Sequence, residues 1–191
     1  MRTLVLLRHG MTEANERRIY CGRTDLPLSE GGRKQAREMA AHRPLPECDL
    51  YLSSGMARAD ETLFILTGRK ADRVLPALSE MNFGRFEMLD YDTLKQDADY
   101  LRWIEDATGS VACPGGESTE VFRRRVHSAG EALLALAWES ALVVCHGGVI
   151  VNLMGEWFPS PERGFYEWQP RACEGWRVSF EQRRPIRFEP V

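Results

Sequence analysis

The sequence predicts an α/β fold, a three-layer α/β/α sandwich around a mostly parallel sheet, and three observations carry that prediction. Leu4 to Leu7 and Ala141 to Val144 are short unbroken apolar runs without polar alternation, the pattern of strands buried on both faces. Strand-like runs alternate along the chain with segments of helical periodicity, as in βαβ construction. A chain of 191 residues, 43% of them hydrophobic, can bury a sizeable core without disulfides or metals.

The elements follow in order. Leu4 to Leu7 is the first strand and stops at Arg8-His9-Gly10. Ser29 is a good N-cap for a helix that runs through Ala40 and ends before Pro44, with Gly31 and Gly32 weakening its first turn. Leu50 to Leu52 reads as a second strand closed by Ser53-Ser54-Gly55, and Ala57 to Leu66 as a helix with apolar residues at 59, 63 and 66. Val74-Leu75 is a weak third strand. From Asp92 to Asp106, Leu94, Ala98, Leu101 and Ile104 fall at helical spacing and predict one helix. Pro114-Gly115-Gly116 is a turn, after which Ser118 caps a long helix with Phe122, Val126, Ala129, Leu133 and Leu136 on one face. That helix feeds the strand Ala141 to Val144, which stops at Cys145-His146-Gly147-Gly148. Another helix runs from Val149 toward Phe158, and the tail segments Trp176 to Phe180 and Ile186 to Phe188 suit late strands of the same sheet. With no linker, low-complexity tract or repeat, residues 1–191 are expected to form one domain.

Charge and cysteine usage narrow the function. A net charge of −3 leaves no basic surplus, which speaks against nucleic acid or an anionic membrane surface as partner. Arg183-Arg184-Pro185 with Arg187 reads as a solvated face. Cysteines 21, 48, 113, 145 and 173 have no C-x-x-C spacing, so reduced thiols in the cytoplasm are expected rather than a disulfide framework or zinc site. The apolar run near the N-terminus is too short for a signal-peptide core or a membrane span. No nucleotide-binding glycine loop or H-E-x-x-H helix is present. Neither a metal nor a cofactor is expected.

Two strands end alike, in Arg8-His9-Gly10 and Cys145-His146-Gly147. Ligands of open parallel sheets bind beyond the carboxyl ends of the strands, so His9 and His146 should face one crevice, side by side. A third strand end leads into a helix whose first turn carries Arg58. Two imidazoles and two guanidiniums on one rim make a pocket for a tetrahedral anion. Metal-free hydrolysis of a phosphomonoester needs a nucleophile, cationic donors and an acid for the leaving alcohol, and a neutral histidine can be the nucleophile. His42 and His127, in or beside helices, read as surface or satisfied residues.

The run Leu7-Arg8-His9-Gly10-Met11-Thr12-Glu13-Ala14-Asn15 resembles the signature of the histidine phosphatase superfamily, which includes cofactor-dependent phosphoglycerate mutases. The resemblance continues through residues 22–32, Ser53 to Ala59 with Glu61-Thr62, Leu78 to Gly84, Pro114 to Ser118 and His146-Gly147-Gly148. It implies a phosphoglycerate mutase-like fold in which His9 is the phosphorylated nucleophile. Arg8, Arg58 and His146 clamp the phosphoryl oxygens, and Glu80 protonates the leaving oxygen and later deprotonates water. Asn15 and the backbone around Gly22 and Gly147 complete the cradle. The chain departs from the family pattern at Met11, where many members have Glu, and at Cys145, where many have Ser or Thr. It also has no arginine after the last glycine pair, where Val149-Ile150-Val151 stands.

Residues 88–113 stand where the family places its substrate-selecting cap, and they carry a net charge of −4. An acidic cap argues against a second substrate phosphate and so against mutase chemistry. Tyr91, Tyr100 and Trp103, with Phe83 and Phe86, either cover a flat ring of the substrate or pack the cap on the sheet. Glu80 to Met88, with Asp97-Ala98-Asp99-Tyr100 and Trp103, resembles the α-ribazole phosphatase branch. That resemblance implies α-ribazole 5′-phosphate, or the corresponding cobalamin phosphate, as the substrate. A broad-specificity or sugar-phosphate phosphatase, a phosphoglycerate mutase and a non-catalytic phosphate-binding protein are the alternatives.

Overall fold

The computed structural model describes residues 1–191. In chain order the elements are β1 (Arg2–Arg8), α1 (Glu13–Glu16), α2 (Glu30–His42), β2 (Leu50–Ser53), α3 (Ala57–Thr67), β3 (Arg73–Val74), α4 (Tyr91–Leu94), α5 (Ala98–Ile104), α6 (Thr119–Ala135), β4 (Ser140–Cys145), α7 (Gly147–Trp157), α8 (Phe165–Trp168), β5 (Gly175–Glu181) and β6 (Arg184–Pro190). Single 3₁₀ turns at Pro76–Leu78 and Gly84–Phe86 join β3 to the cap. One six-stranded sheet runs in the order β3-β2-β4-β1-β5-β6. β1, β2, β3 and β4 are parallel, and the tail strands β5 and β6 add an antiparallel edge beside β1.

The apolar runs at the sheet centre alternate between two cores. Leu4, Leu6, Leu52, Ala141 and Val143 join one, against α6, α7 and the cap; Val5, Leu7, Tyr51, Leu142 and Val144 join the other, against α2 and α3. This two-sided burial is why these strands lack polar alternation, and it gives the expected three layers.

The cap departs from its sequence pattern. The expected helix from Asp92 to Asp106 is two short helices, because the Asp97 carboxylate accepts from the Asp99 and Tyr100 amides and restarts the helix as an N-cap. Four of the six acidic residues also prove to be structural. Asp90 caps α4, Asp106 holds the turn to Val111, and Arg85, just outside the segment, pairs with both Asp97 and Asp99. The net charge of −4 is therefore a weaker argument about substrate than the sequence suggests. Phe86 and Tyr100 are buried and pack edge-to-face with each other, Tyr100 also edge-to-face with Tyr20 and both tilted against Trp103, which favours the packing reading for these rings, whereas Tyr91 is exposed. No helix is long and apolar enough to cross a membrane.

Candidate active site

The parallel register of β1 and β4 pairs Arg8 with Cys145, so the next residue of each strand, His9 and His146, must emerge together. The His9 amide donates to the Cys145 carbonyl at 3.0 Å, and the two imidazoles meet with centroids 5.1 Å apart and planes 60° apart. Both rings are buried. His9 Nδ1 lies 2.7 Å from the Gly10 carbonyl. A carbonyl can only accept, so the proton sits on Nδ1 and the lone pair on Nε2. Burial, with the charges of Arg58 and Arg8 beside it, pushes the His9 pKa down to about 3, which keeps the ring neutral and nucleophilic.

His146 is set up as a donor. Its Nε2 lies 2.8 Å from Ser54 Oγ, and that oxygen accepts from the Met56 amide. The Ser54 hydroxyl can then donate to Nε2, which leaves the proton of the neutral ring on Nδ1. Burial, with His9 next to it, holds the His146 pKa well below the usual value. Nδ1 is buried and has no protein partner, and the same is true of Arg8 Nε. Two buried donors without protein acceptors at one strand rim are what an anion site looks like before the anion arrives.

The guanidiniums are fixed by carbonyls rather than carboxylates. Arg8 Nη1 donates to Pro170 O at 3.0 Å; Arg58 Nη1 and Nη2 donate to Thr24 O and Gly22 O at 3.0 and 2.7 Å. Arg58 is only 1% exposed. Burial lowers both pKa values, and with no ion pair of their own both cations are left for an external anion. Thr62, one turn beyond Arg58, accepts from the Gly10 amide at 2.8 Å and donates to the Arg58 carbonyl at 2.6 Å, tying α3 to the backbone that orients His9.

Glu80 lies at the N-terminus of α7, where its Oε2 accepts from the Gly148 amide at 3.0 Å and its Oε1 from the Met81 amide at 3.0 Å. A Cβ at Gly148 would come 2.5 Å from Glu80 Oε1, so any other residue here would push the Glu80 carboxylate out of its place. Gly147 lies beside the Arg8 guanidinium, where a Cβ would make ordinary contact at 3.5 Å from Arg8 Nε. The same Cβ would be 2.9 Å from Gln169 Nε2, a side chain at the rim that the sequence did not single out.

The expectation for the backbone at Gly22 needs correction. The amides of Gly22, Arg23 and Thr24 all donate to the Glu87 carboxylate, so none of them is offered to a phosphate. Gly22 acts instead through its carbonyl, which holds Arg58, and it must be glycine because a Cβ would meet Met81 O at 1.7 Å. Asn15 accepts at its Oδ1 from the Thr12 amide and hydroxyl, capping α1, so the group it could turn to a phosphate is its Nδ2. His42 and His127 lie on the surface, away from these groups, and no cluster of His, Cys, Asp and Glu has the makings of a metal centre. Cys145, raised far above the ordinary thiol range by burial, is no second nucleophile.

Inorganic phosphate at about a hundred times its Kd should stabilise the fold by about 2.7 kcal/mol, raising Tm by about 5–10 °C. Arg58→Met should abolish most of that increment. A thermal melt that phosphate does not move would contradict the anion site.

These paired histidines, with Arg58 buried and Arg8 half-buried at the carboxyl ends of a parallel sheet, make an anion site on an α/β fold. Residues 4–187 match the family model of the histidine phosphatase superfamily, branch 1, and the chain belongs to that superfamily. It is 34% identical over 180 residues to the adenosylcobalamin/α-ribazole phosphatase of Salmonella typhimurium strain LT2, covering 90% of this chain and 86% of that protein. It is 30% identical over 186 residues to a probable phosphoglycerate mutase of Cronobacter sakazakii, covering 95% and 86%. Its fold superposes on the crystal structure of the α-ribazole phosphatase from Shigella flexneri with a TM-score of 0.84, at 26% identity over 96% of this chain and 93% of that one.

Proposed function

We propose that this chain hydrolyses a phosphomonoester through a phosphorylated His9, and that its substrate is α-ribazole 5′-phosphate or the corresponding cobalamin phosphate. The observation that carries the chemistry is the lone pair of His9 Nε2 amid buried donors that lack protein acceptors, Arg8 Nε and His146 Nδ1. Nε2 attacks phosphorus while Arg8, Arg58 and His146 balance the charge on the non-bridging oxygens. Glu80 gives a proton to the leaving oxygen, then takes one from the water that displaces phosphate from His9. The substrate rests on the relatives named adenosylcobalamin/α-ribazole phosphatase and on the block from Glu80 to Met88. This reading treats residues 1–191 as one catalytic domain with residues 88–113 as its cap. It places the reaction in the cytoplasm, which suits five free cysteines.

The test is a panel of monophosphates assayed in excess EDTA, with 2- and 3-phosphoglycerate included. The expected result is a kcat/KM for α-ribazole 5′-phosphate at least about tenfold above every sugar phosphate. A flat profile would overturn the substrate assignment in favour of a broad-specificity phosphatase, and interconversion of the phosphoglycerates would mark a mutase.

A further inference from the structure

We propose that Arg125, on α6, is a positioning residue for the acid Glu80, acting with Glu117 to fix the backbone that aims its carboxyl group. This inference rests on the reading of Glu80 as the proton donor. Every N–H of the Arg125 guanidinium is used. Nη1 donates to Ala77 O and Ser79 O, both at 2.8 Å; Nη2 donates to Glu80 O at 3.1 Å and Glu117 Oε2 at 2.7 Å; Nε donates to Glu117 Oε1 at 2.8 Å. Glu117 extends the grip on the far side of Glu80, because its Oε2 accepts from the Asn82 amide at 2.8 Å and its own amide donates to Asn82 O at 2.8 Å.

The chain on both sides of Glu80 thus hangs on one ion pair whose side chains are only 18% and 14% exposed. The Glu80 carboxylate itself is held by just two amides, those of Met81 and Gly148. Its aim therefore depends on where residues 79–82 lie, and an error of about 1 Å in a reacting group is expensive. The same helix supports the other side of the acid: the Arg125 guanidinium lies 5.0 Å over the Phe122 ring, whose edge abuts Gly148. Lysine cannot replace this arrangement, since three donors on a tetrahedral point charge do not match a planar fork.

A merely structural ion pair and a positioning pair differ in which substrates suffer when it is lost. The ratio kcat/KM reports the steps up to transfer of phosphate to His9, in which the acid matters only when the leaving group needs a proton. An alkoxide needs one; a nitrophenolate does not. Arg125→Met is expected to lower kcat/KM on a simple alkyl phosphate by about 100-fold, and on p-nitrophenyl phosphate by less than about fivefold. Arg125→Lys should fall between this variant and the parent protein. The ratio between substrates is independent of the fraction of each preparation that is folded, and Glu117→Gln provides the same comparison if Arg125→Met does not accumulate. Equal losses on both substrates would overturn the proposal. Glu80→Gln on the same pair separates the two ideas. If Glu80→Gln is selective and the Arg125 and Glu117 variants are not, Arg125 is structural and the acid stands; if Glu80→Gln is itself unselective, the acid assignment fails and takes this inference with it.

Discussion

His9→Ala is expected to lower kcat/KM by about 10⁴-fold or more and to leave the fold intact. The loss should be near-total because no neighbouring group can take over. Cys21, the thiol beside Arg58, and the three buried thiols, Cys113, Cys145 and Cys173, are all raised in pKa, chiefly by burial, and stay protonated at neutral pH. His146 has its Nε2 engaged with Ser54 and presents a proton, not a lone pair, at Nδ1. The same burial has a consequence for pH. With its folded pKa pushed down to about 3, His9 in the free enzyme is already in its reactive form throughout the pH range 5–8, so its ring resonances should not titrate there. Phosphate release by His9→Ala within about tenfold of the parent rate would remove the phosphohistidine mechanism, and a His9 titration near the ordinary histidine value would contradict the burial of its ring beside Arg58 and Arg8.

How far the sequence could be read depended on whether a feature is local. The matched endings of β1 and β4 are local, and the two-sided burial of both strands shows in their unbroken apolar runs. From there the parallel rule brings His9 to His146, as the register of Arg8 against Cys145 shows. The break in the cap helix was visible only in hindsight: Asp97 sits within an unbroken helical period, and its capping bonds outweigh the pattern. The destinations of backbone amides are not local at all. Nothing in the spacing of Gly22 and Glu87 tells that three successive amides of one loop close on a carboxylate more than sixty residues away. A glycine at position 22 does mark a close approach, but the approaching atom is the Met81 carbonyl and not a phosphate oxygen. Arg125 was hidden for a related reason, since a lone arginine on a helix reads as solvated until its five acceptors are seen.

The second large effect is expected at Glu87. Its carboxylate accepts from the amides of Gly22, Arg23, Thr24 and Phe83 and from the Thr24 hydroxyl. Glu87→Gln keeps the size of the side chain but turns an acceptor-only group into one that points N–H donors at N–H donors. At about 1 kcal/mol per bond lost, more where water cannot reach, the variant should be less stable by about 3–5 kcal/mol, a large share of a typical folding free energy. The damage should reach function because the carbonyls of Gly22 and Thr24 hold Arg58, so kcat/KM should fall even for the folded fraction. The sign of the pH effect can be stated in advance. Burial works to raise the Glu87 pKa, but the donors around it outweigh burial and the folded value lies below the ordinary one. A depressed carboxylate stabilises the fold above its unfolded pKa and loses that contribution as the pH falls toward its folded value. The parent protein should therefore lose stability more steeply than Glu87→Gln as acid is added below about pH 4.5. Urea titrations at neutral and acid pH measure both quantities, and a Glu87→Gln midpoint indistinguishable from the parent at neutral pH would show that water can replace the carboxylate in this loop.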